Sequence, residues 1–433
     1  MDTVRITPTK LQGTVQVPSS KSMGHREIIC AGLALGVSVI DNISMSRDIE
    51  ATMGLLRAMG TLIEEVPGGI PGRHALRIRG RGKPIATAEG ADCGESGSTL
   101  RFFVPLGAML GRPFTFSGHG KLVSRPLKAY YDIFDRQKIS YATTGGNLPL
   151  TVNGRLEPGV FSLPGNVSSQ YVSGLLFALP LLAADSVIEI TSPLESASYV
   201  DMTIQCLDKY GVKIINEDNA HRRYFVEGRQ TYCCRDSRVE GDWSQAAFWA
   251  VGGSLGRQVR SGGVDFSSLQ GDKVVIDILE RMGAKAVRTN DSVTLAGSET
   301  HSTLIDASNC PDIIPVLTVL ASVSSGTTRV INAGRLRIKE CDRLAAITSE
   351  LNKLGADITE EPDGLIIRGR PQGLTGGCEV DAWNDHRIAM SLAIAAAKCA
   401  EPFVLTGAGS VSKSYPDFWQ DYTAAGGKIE VLK

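Results

Sequence analysis

The sequence predicts an α/β protein with a six-fold internal repeat, its modules shared three and three between two similar domains. One pattern carries that prediction: an amphipathic helix, a glycine, then a short strand. It recurs as LLRAMGTLIEE, CLDKYGVKIIN, ILERMGAKAVR, LNKLGADITEE and YTAAGGKIEVL, with marker glycines Gly60, Gly211, Gly283, Gly355 and Gly427. From Gly211 onward the spacing is 72 residues each time. Self-similarity at a fixed period is the signature of repeated structural units. A sixth copy, FDRQKISYATT, lies between the first two and has Lys138 in the glycine's place.

The second observation is an imbalance at the ends of the chain. After Gly427 only KIEVLK remains, a strand without a hairpin partner, while VRITPTKLQGTVQVP near the start belongs to no module. Residues 1–18 are therefore expected to complete one domain with residues 240–433, and residues 19–239 to form the other. The crossovers fall near Pro18-Ser19-Ser20 and Glu240-Gly241-Asp242. A cleft between two similar domains is an expected place for a ligand.

Each module reads as about two helices and several short strands. The marker glycine after the helix is the expected left-handed cap. In DITEEPDGLIIRG the pair Asp363-Gly364 is a hairpin signal. The most apolar stretch, Tyr171–Ala184, contains Ser173, Gly174 and Pro180 and reads as a buried helix. It is shorter than the roughly 18 apolar residues of a membrane span.

Composition narrows the function. At 42% hydrophobic and 21% charged, with net charge −1, the chain is neither disordered nor strongly basic. Its one arginine-rich run, RIRGRGKP (Arg77–Pro84), reads as a solvated turn after a hairpin strand. The first residues lack an apolar signal core. Nine cysteines show no CxxC spacing and six histidines no HxxxH pair, so no metal is expected and the protein reads as reduced and cytosolic. There is no Walker A run and no GxGxxG between strand and helix.

Four segments share one design, in which a polar loop opens an apolar helix, three of them with a cation in or near the first turns. They are PSSKSMGHREIICAGLAL, GESGSTLRFFVPLGAML, GNVSSQYVSGLLFALP and NDHRIAMSLAIAAA; NCPDIIPVLTVLAS is similar but carries Asp312 at its start. Helix N-termini attract anions, so Lys21, Arg26, Arg101 and Arg387 are locally unfavourable there. Each loop alone is compatible with simple capping beside a solvated charge; together they point to an anionic substrate. In LRIKECDRLAAI, Lys339 and Arg343 stand at i,i+4 and Glu340 and Arg343 at i,i+3. That spacing suits a solvated ion-pair helix or a carboxylate held among cations as acid or base.

These residues carry a resemblance. SKSMGHR, GESGSTLRF, SRP at 124–126, SSQ at 168–170, EGDWS at 240–244, CPD at 310–312, RIKECDR and NDHRIAM occur in the order found in the EPSP synthase family, from about Lys21 to Lys413. The resemblance implies two domains, each of three βαβαββ units forming an inside-out α/β barrel. It implies transfer of the enolpyruvyl group of phosphoenolpyruvate to the 5-hydroxyl of shikimate 3-phosphate, by addition and elimination through a tetrahedral intermediate. No metal or organic cofactor is implied. The expected partners are these two small anions, with neither nucleic acid nor membrane, and the expected state is a monomer.

By the same resemblance Lys21, Ser22, Arg26, Ser168, Ser169, Gln170, Ser196, Tyr199, Asp312 and Lys339 would meet shikimate 3-phosphate. Lys21, Gly97, Arg125, Gln170, Arg343, Arg387 and Lys413 would meet phosphoenolpyruvate. Asp312 and Glu340 would be the acid and base, with Lys21 assisting. The chain departs from common family forms at Glu95, Ser98, Phe102 and Arg335, while the retained Gly97 leaves room for the phosphoenolpyruvate mimic glyphosate. Two alternatives are the sister transferase acting on UDP-N-acetylglucosamine and a non-catalytic phosphometabolite binder. Against the first, Ser22 follows Lys21 and residues 118–124 contain no cysteine.

Overall fold

The computed structural model describes residues 2–69, 73–218 and 220–432. The chain divides into two compact units, one of Met1–Ser20 with Glu240–Lys433 and the other of Lys21–Val239. In the second unit the helices are α1 (Lys21–Leu33), α2 (Arg47–Ala58), α3 (Gly97–Gly107), α4 (Lys128–Gln137), α5 (Ser169–Ala178) and α6 (Ala197–Lys209). In the first they are α7 (Trp243–Leu255), α8 (Val275–Arg281), α9 (Ile314–Ser322), α10 (Arg343–Lys353), α11 (His386–Ala395) and α12 (Phe418–Ala424).

Helices alternate in character along each unit. Every residue of α7, α9 and α11 is buried, as their sequences require: IPVLTVLAS in α9 has no charged side chain to show to water. α10 is two-faced, burying Leu344, Ala346, Ile347 and Leu351 on one stripe. A helix apolar all round must sit in the middle, and a striped one between middle and surface. The four-stranded sheets therefore wrap the outside, which is the inside-out arrangement.

Each repeat is βαβαββ and makes one four-stranded sheet. In the third repeat, Val160–Leu163 pairs in parallel with Ser186–Ile190, which pairs antiparallel with Arg223–Val226, itself antiparallel to Ile214–Asn216. The last sheet has the same order, but its third place is taken by Thr3–Thr7. That strand lies between Phe403–Thr406 and Lys428–Leu432, with Val4 opposite Leu405 and Val431. The strand Gln12–Gln16 then supplies the parallel edge of the fourth sheet, against Gln258–Gly262. In the other unit Ser237–Arg238 plays that edge role for the first sheet.

Three local expectations are corrected. The left-handed residue after α12 is Gly426, at φ 89°, and not Gly427, whose added Cβ would strike the Tyr422 ring. The period thus marks the end of that helix to within one residue. The hairpin turn is Pro362-Asp363, because Glu361 pairs with Gly364. Gly364 is already in the strand, where a Cβ would collide with the carbonyl of Val330. The run Arg77–Pro84 is mostly strand, since His74–Arg81 pairs on both sides and its arginines point outward.

Four marker glycines, Gly60, Gly211, Gly283 and Gly355, have φ between 81° and 98°. Lys138 stands in the same place after α4 at φ 57°. A side chain in that region costs about 1–2 kcal/mol, and the Lys138 side chain is exposed. Lys138→Gly is expected to stabilise the protein by about 1 kcal/mol, read by denaturant unfolding; no gain would place the strain elsewhere.

Candidate active site

In the unit of residues 21–239 three helix starts carry the candidate residues. Lys21 opens α1, and its Nζ is 2.8 Å from Asp48 Oδ2 in the first turn of α2. Ser96 caps α3 by accepting the Thr99 amide at 3.2 Å, which places Gly97 as the first helical residue. Ser168 caps α5 by accepting the Gln170 amide at 3.3 Å, so Ser169 and Gln170 lie in its first turn.

Gly97 is where two guanidiniums come close. A Cβ there would lie 2.5 Å from Arg125 Nη1 and 3.1 Å from Arg101 Nη1. Arg101 Nη1 donates to Gln170 Oε1 at 2.8 Å, and Gln170 Nε2 donates to Ser98 Oγ at 2.9 Å. Gly97, Arg101, Arg125 and Gln170 thus form one cluster. The sequence marks Arg101 only as a helix-start cation; in the structure it also ties α3 to α5.

Arg26 is buried and ties α1 to α6. Its Nη1 donates to Ser22 O at 2.6 Å, its Nε to Thr203 Oγ1 at 2.9 Å and its Nη2 to Tyr199 O at 2.7 Å. The guanidinium also lies over the rings of Phe102 and Tyr199. Burial pulls its pKa down to about 10, which leaves it charged at neutral pH. Ser196, immediately before α6, is buried and left-handed at φ 54°, a conformation that costs a non-glycine residue energy and concentrates at functional sites. Glu95 lies against Gly120, at the start of the turn that leads to Arg125.

In the other unit a single guanidinium organises the site. Arg343, 1% exposed, donates through Nε to Asp385 Oδ2, through Nη1 to Asp312 Oδ1 and through Nη2 to Glu340 Oε2, each at 2.7 Å. Asp312 is shared further, with Lys339 Nζ 3.4 Å from Oδ1 and Arg387 Nη2 3.2 Å from Oδ2. Burial alone would raise the Asp312 pKa. Arg387, Lys339 and Arg343 outweigh it and hold that carboxyl well below the ordinary carboxylate range. Lys339 is lowered by burial and by Arg343 and Arg335, with Asp312 opposing them.

The ion-pair spacing in this segment has a different origin from the one expected. Gly334–Ile338 is a 3-10 turn, Lys339 is extended, and α10 begins only at Arg343 behind its cap Asp342. Lys339 and Glu340 therefore reach Arg343 and Asp312 from a loop, not along a helix face. Arg335, on that turn, donates to Ser308 O at 3.0 Å. Lys413 ends the turn Ala408–Lys413, and its Nζ donates to Asn384 O at 2.7 Å. Trp383 and Asn384 are both left-handed at φ 51° just before Asp385 caps α11. No sequence signal marked that pair, nor Asp48, because an acid in a first helical turn reads as an ordinary dipole partner.

Among the described residues no group of three His, Cys, Asp or Glu could hold a metal ion, and no helix is long and apolar enough to cross a membrane.

Comparison with known proteins follows the same lines. The family model described as EPSP synthase (3-phosphoshikimate 1-carboxyvinyltransferase) matches residues 6–422. A 3-phosphoshikimate 1-carboxyvinyltransferase of Clostridium kluyveri is 51% identical over 430 residues, covering 99% of both chains. One from Clostridioides difficile is 46% identical over 437 residues, again at 99% coverage of each. A solved EPSP synthase from Acinetobacter baumannii superposes with a TM-score of 0.82 at 26% identity, over 100% of both chains. The enolpyruvyl transferase NikO from Streptomyces tendae shares the fold at a TM-score of 0.78 and 16% identity, over 99% of this chain and 98% of its own.

Asp385 offers a test of the buried ion cluster. It is fully buried, accepts from Arg343 and caps α11 through the Arg387 amide at 2.8 Å. Asn caps as well as Asp, so Asp385→Asn isolates the charge. Breaking a buried pair from one side typically costs about 3–5 kcal/mol. Chemical denaturation should show a loss of that order, and a loss below about 1 kcal/mol would mean that Asp312 and Glu340 suffice for Arg343.

Proposed function

The chain belongs to the EPSP synthase (3-phosphoshikimate 1-carboxyvinyltransferase) family, and from that membership we propose how its residues carry out the reaction. The enolpyruvyl group of phosphoenolpyruvate is transferred to the 5-hydroxyl of shikimate 3-phosphate, and inorganic phosphate leaves. This is a step of the shikimate pathway to the aromatic amino acids. The hydroxyl oxygen bonds to C2 of the enol as it loses its proton, and C3 gains one. Phosphate then departs from C2, C3 returns its proton, and the double bond re-forms.

The observation that carries the assignment of roles is the cation-ringed Asp312. Three cations hold it ionised, so at neutral pH it can accept a proton and has none to give. We assign it the base that takes the 5-hydroxyl proton. An anion that claimed Arg387 or Lys339 would remove a cation from Asp312 and make it a stronger base as the substrate arrives. Glu340 is held beside it by the same guanidinium and is assigned the proton transfer at C3. Lys21, whose ammonium is already directed by Asp48, assists.

The anions are matched by chemistry. Arginine's planar fork suits carboxylate and phosphate together, which assigns Arg125, Arg343 and Arg387 to phosphoenolpyruvate, with the Lys413 ammonium adding a point charge and Gly97 and Gln170 beside them. Ser168, Ser169 and Ser196 lie at or just before helix starts, where hydroxyls and backbone N–H groups suit the 3-phosphate. Ser22, Arg26, Tyr199 and Lys339 complete the shikimate 3-phosphate set.

Purified protein should release phosphate only when phosphoenolpyruvate and shikimate 3-phosphate are both present. Equal turnover with UDP-N-acetylglucosamine in place of the second would sink the assignment. Glu340→Gln keeps the shape and removes the acid, and should lower kcat by about 100-fold or more, the usual contribution of a general acid or base. Normal turnover in that variant would take Glu340 out of the mechanism.

A further inference from the structure

A buried carboxylate outside the proposed catalytic set lies next to it. Asp272 is on the 3-10 turn Gly271–Val274, 1% exposed. Its Oδ2 accepts a hydrogen bond from Ser244 Oγ, near the start of α7. Its Oδ1 is buried with no hydrogen-bond partner among the described residues. The turn packs against α7, against α8 and against the turn Pro311–Ile313 that carries Asp312.

The surrounding charges are few and identifiable. Asp312 and Arg387 act on Asp272, as does Asp242, the cap of α7, and the Cys310 thiol just before the turn Pro311–Ile313 feels it in turn. On its own turn Lys273 is turned away, donating to the carbonyls of Phe266 and Ser268 at 3.0 and 2.6 Å. On α8, Asp277 and Glu280 pair outward with Arg288. Asp272 thus shares Arg387 with Asp312, and Asp312 is the one in direct contact with it.

Resting on the reading above, we propose that Asp272 is a positioning residue of the enolpyruvyl-transfer site, which keeps Arg387 available to the anionic substrate by holding a proton and surrenders that availability when it ionises. The proton is exchanged with solvent and no bond other than O–H is made or broken. Burial first, then Asp312 and Asp242, favour the protonated form, while Arg387 and Ser244 favour the ionised one. The balance raises this acid to about 7. An added negative charge beside Arg387 opposes a bound carboxylate or phosphate, and by linkage a bound anion must favour the protonated acid in equal measure. Phosphoenolpyruvate binding should therefore weaken as pH rises through neutrality.

The test follows the KM for phosphoenolpyruvate at saturating shikimate 3-phosphate, from about pH 6 to about pH 8.5. Wild type is compared with Asp272→Asn, which stays neutral and can still accept from Ser244. The substrate's own titration is common to both proteins. The ratio of wild-type to variant KM should climb about tenfold across the range, the equivalent of one unit of linkage, while the kcat ratio changes less. Ser244→Ala, which removes the donor that favours ionisation, should move the wild-type rise to higher pH. A KM ratio that is constant with pH, with both enzymes turning over, would overturn the proposal. Absence of two-substrate turnover at every pH would instead overturn the assigned reaction.

A second arm needs no activity. The folded protein retains a proton that the unfolded chain releases near pH 3.8, the ordinary value of this group. Wild-type stability relative to Asp272→Asn should fall as pH rises from about 4 to about 7 and then level off. Parallel stability curves would show that Asp272 does not titrate there. If the asparagine variant fails to fold, the Ser244→Ala shift decides alone.

Discussion

The Arg343 guanidinium is the contact on which one unit's architecture turns. It is the first residue of α10, yet it bonds the cap of α11, the turn before α9 and the loop ahead of its own helix. A buried cation of this kind gains little stability over a well-packed apolar core. What it gives is geometry, because five fixed donors set three carboxylates at defined places. A misregistered guanidinium would leave charges unpaired in the interior.

The unit of residues 21–239 solves a related problem without such a hub. Its cations are held one by one, Lys21 by Asp48, Arg101 by Gln170, and Arg26 by hydroxyl and carbonyl oxygens. Gly97 belongs to this arrangement because the space a methyl group would need is occupied by arginine nitrogens. A glycine at a helix start would ordinarily be a weakness. Here it is what lets Arg101 and Arg125 sit beside the first turn of α3.

Periodicity made the fold readable, because all six units end a helix with a left-handed residue and five of them then turn into a hairpin. The chain's failure to supply a last hairpin strand was equally readable, and Thr3–Thr7 is the strand that fills the sheet. Legibility stopped where a feature depends on distant packing. Ser237–Arg238 is a two-residue edge strand with no pattern of its own. The shift from Gly427 to Gly426 follows from the position of the Tyr422 ring. The segment around Glu340 has helical spacing but runs as a 3-10 turn and a bent loop, because Lys339 and Glu340 reach tertiary partners before α10 begins. In the site, cations at helix starts could be picked out by their unfavourable position. Asp272 could not, since an aspartate after Gln-Gly reads as a turn residue until burial and its neighbours are known.

Asp272 and Asp312 show how one cation can give two like groups different chemistry. Both are carboxylates on 3-10 turns that pack together, and both feel Arg387. Asp312 touches it, and also Lys339 and Arg343, so the attraction exceeds the cost of burial and the proton is lost. Asp272 has no contact of that kind to offset burial, and the ionised Asp312 adds repulsion. The same field therefore moves one acid down and the other up, and pairs of acids separated in this way are where acid and base roles are to be found. The separation depends on Asp312 staying closest to Arg387. A substrate anion that displaces it would move both values up, so the charge state of the pair is set by occupancy of the site as well as by pH.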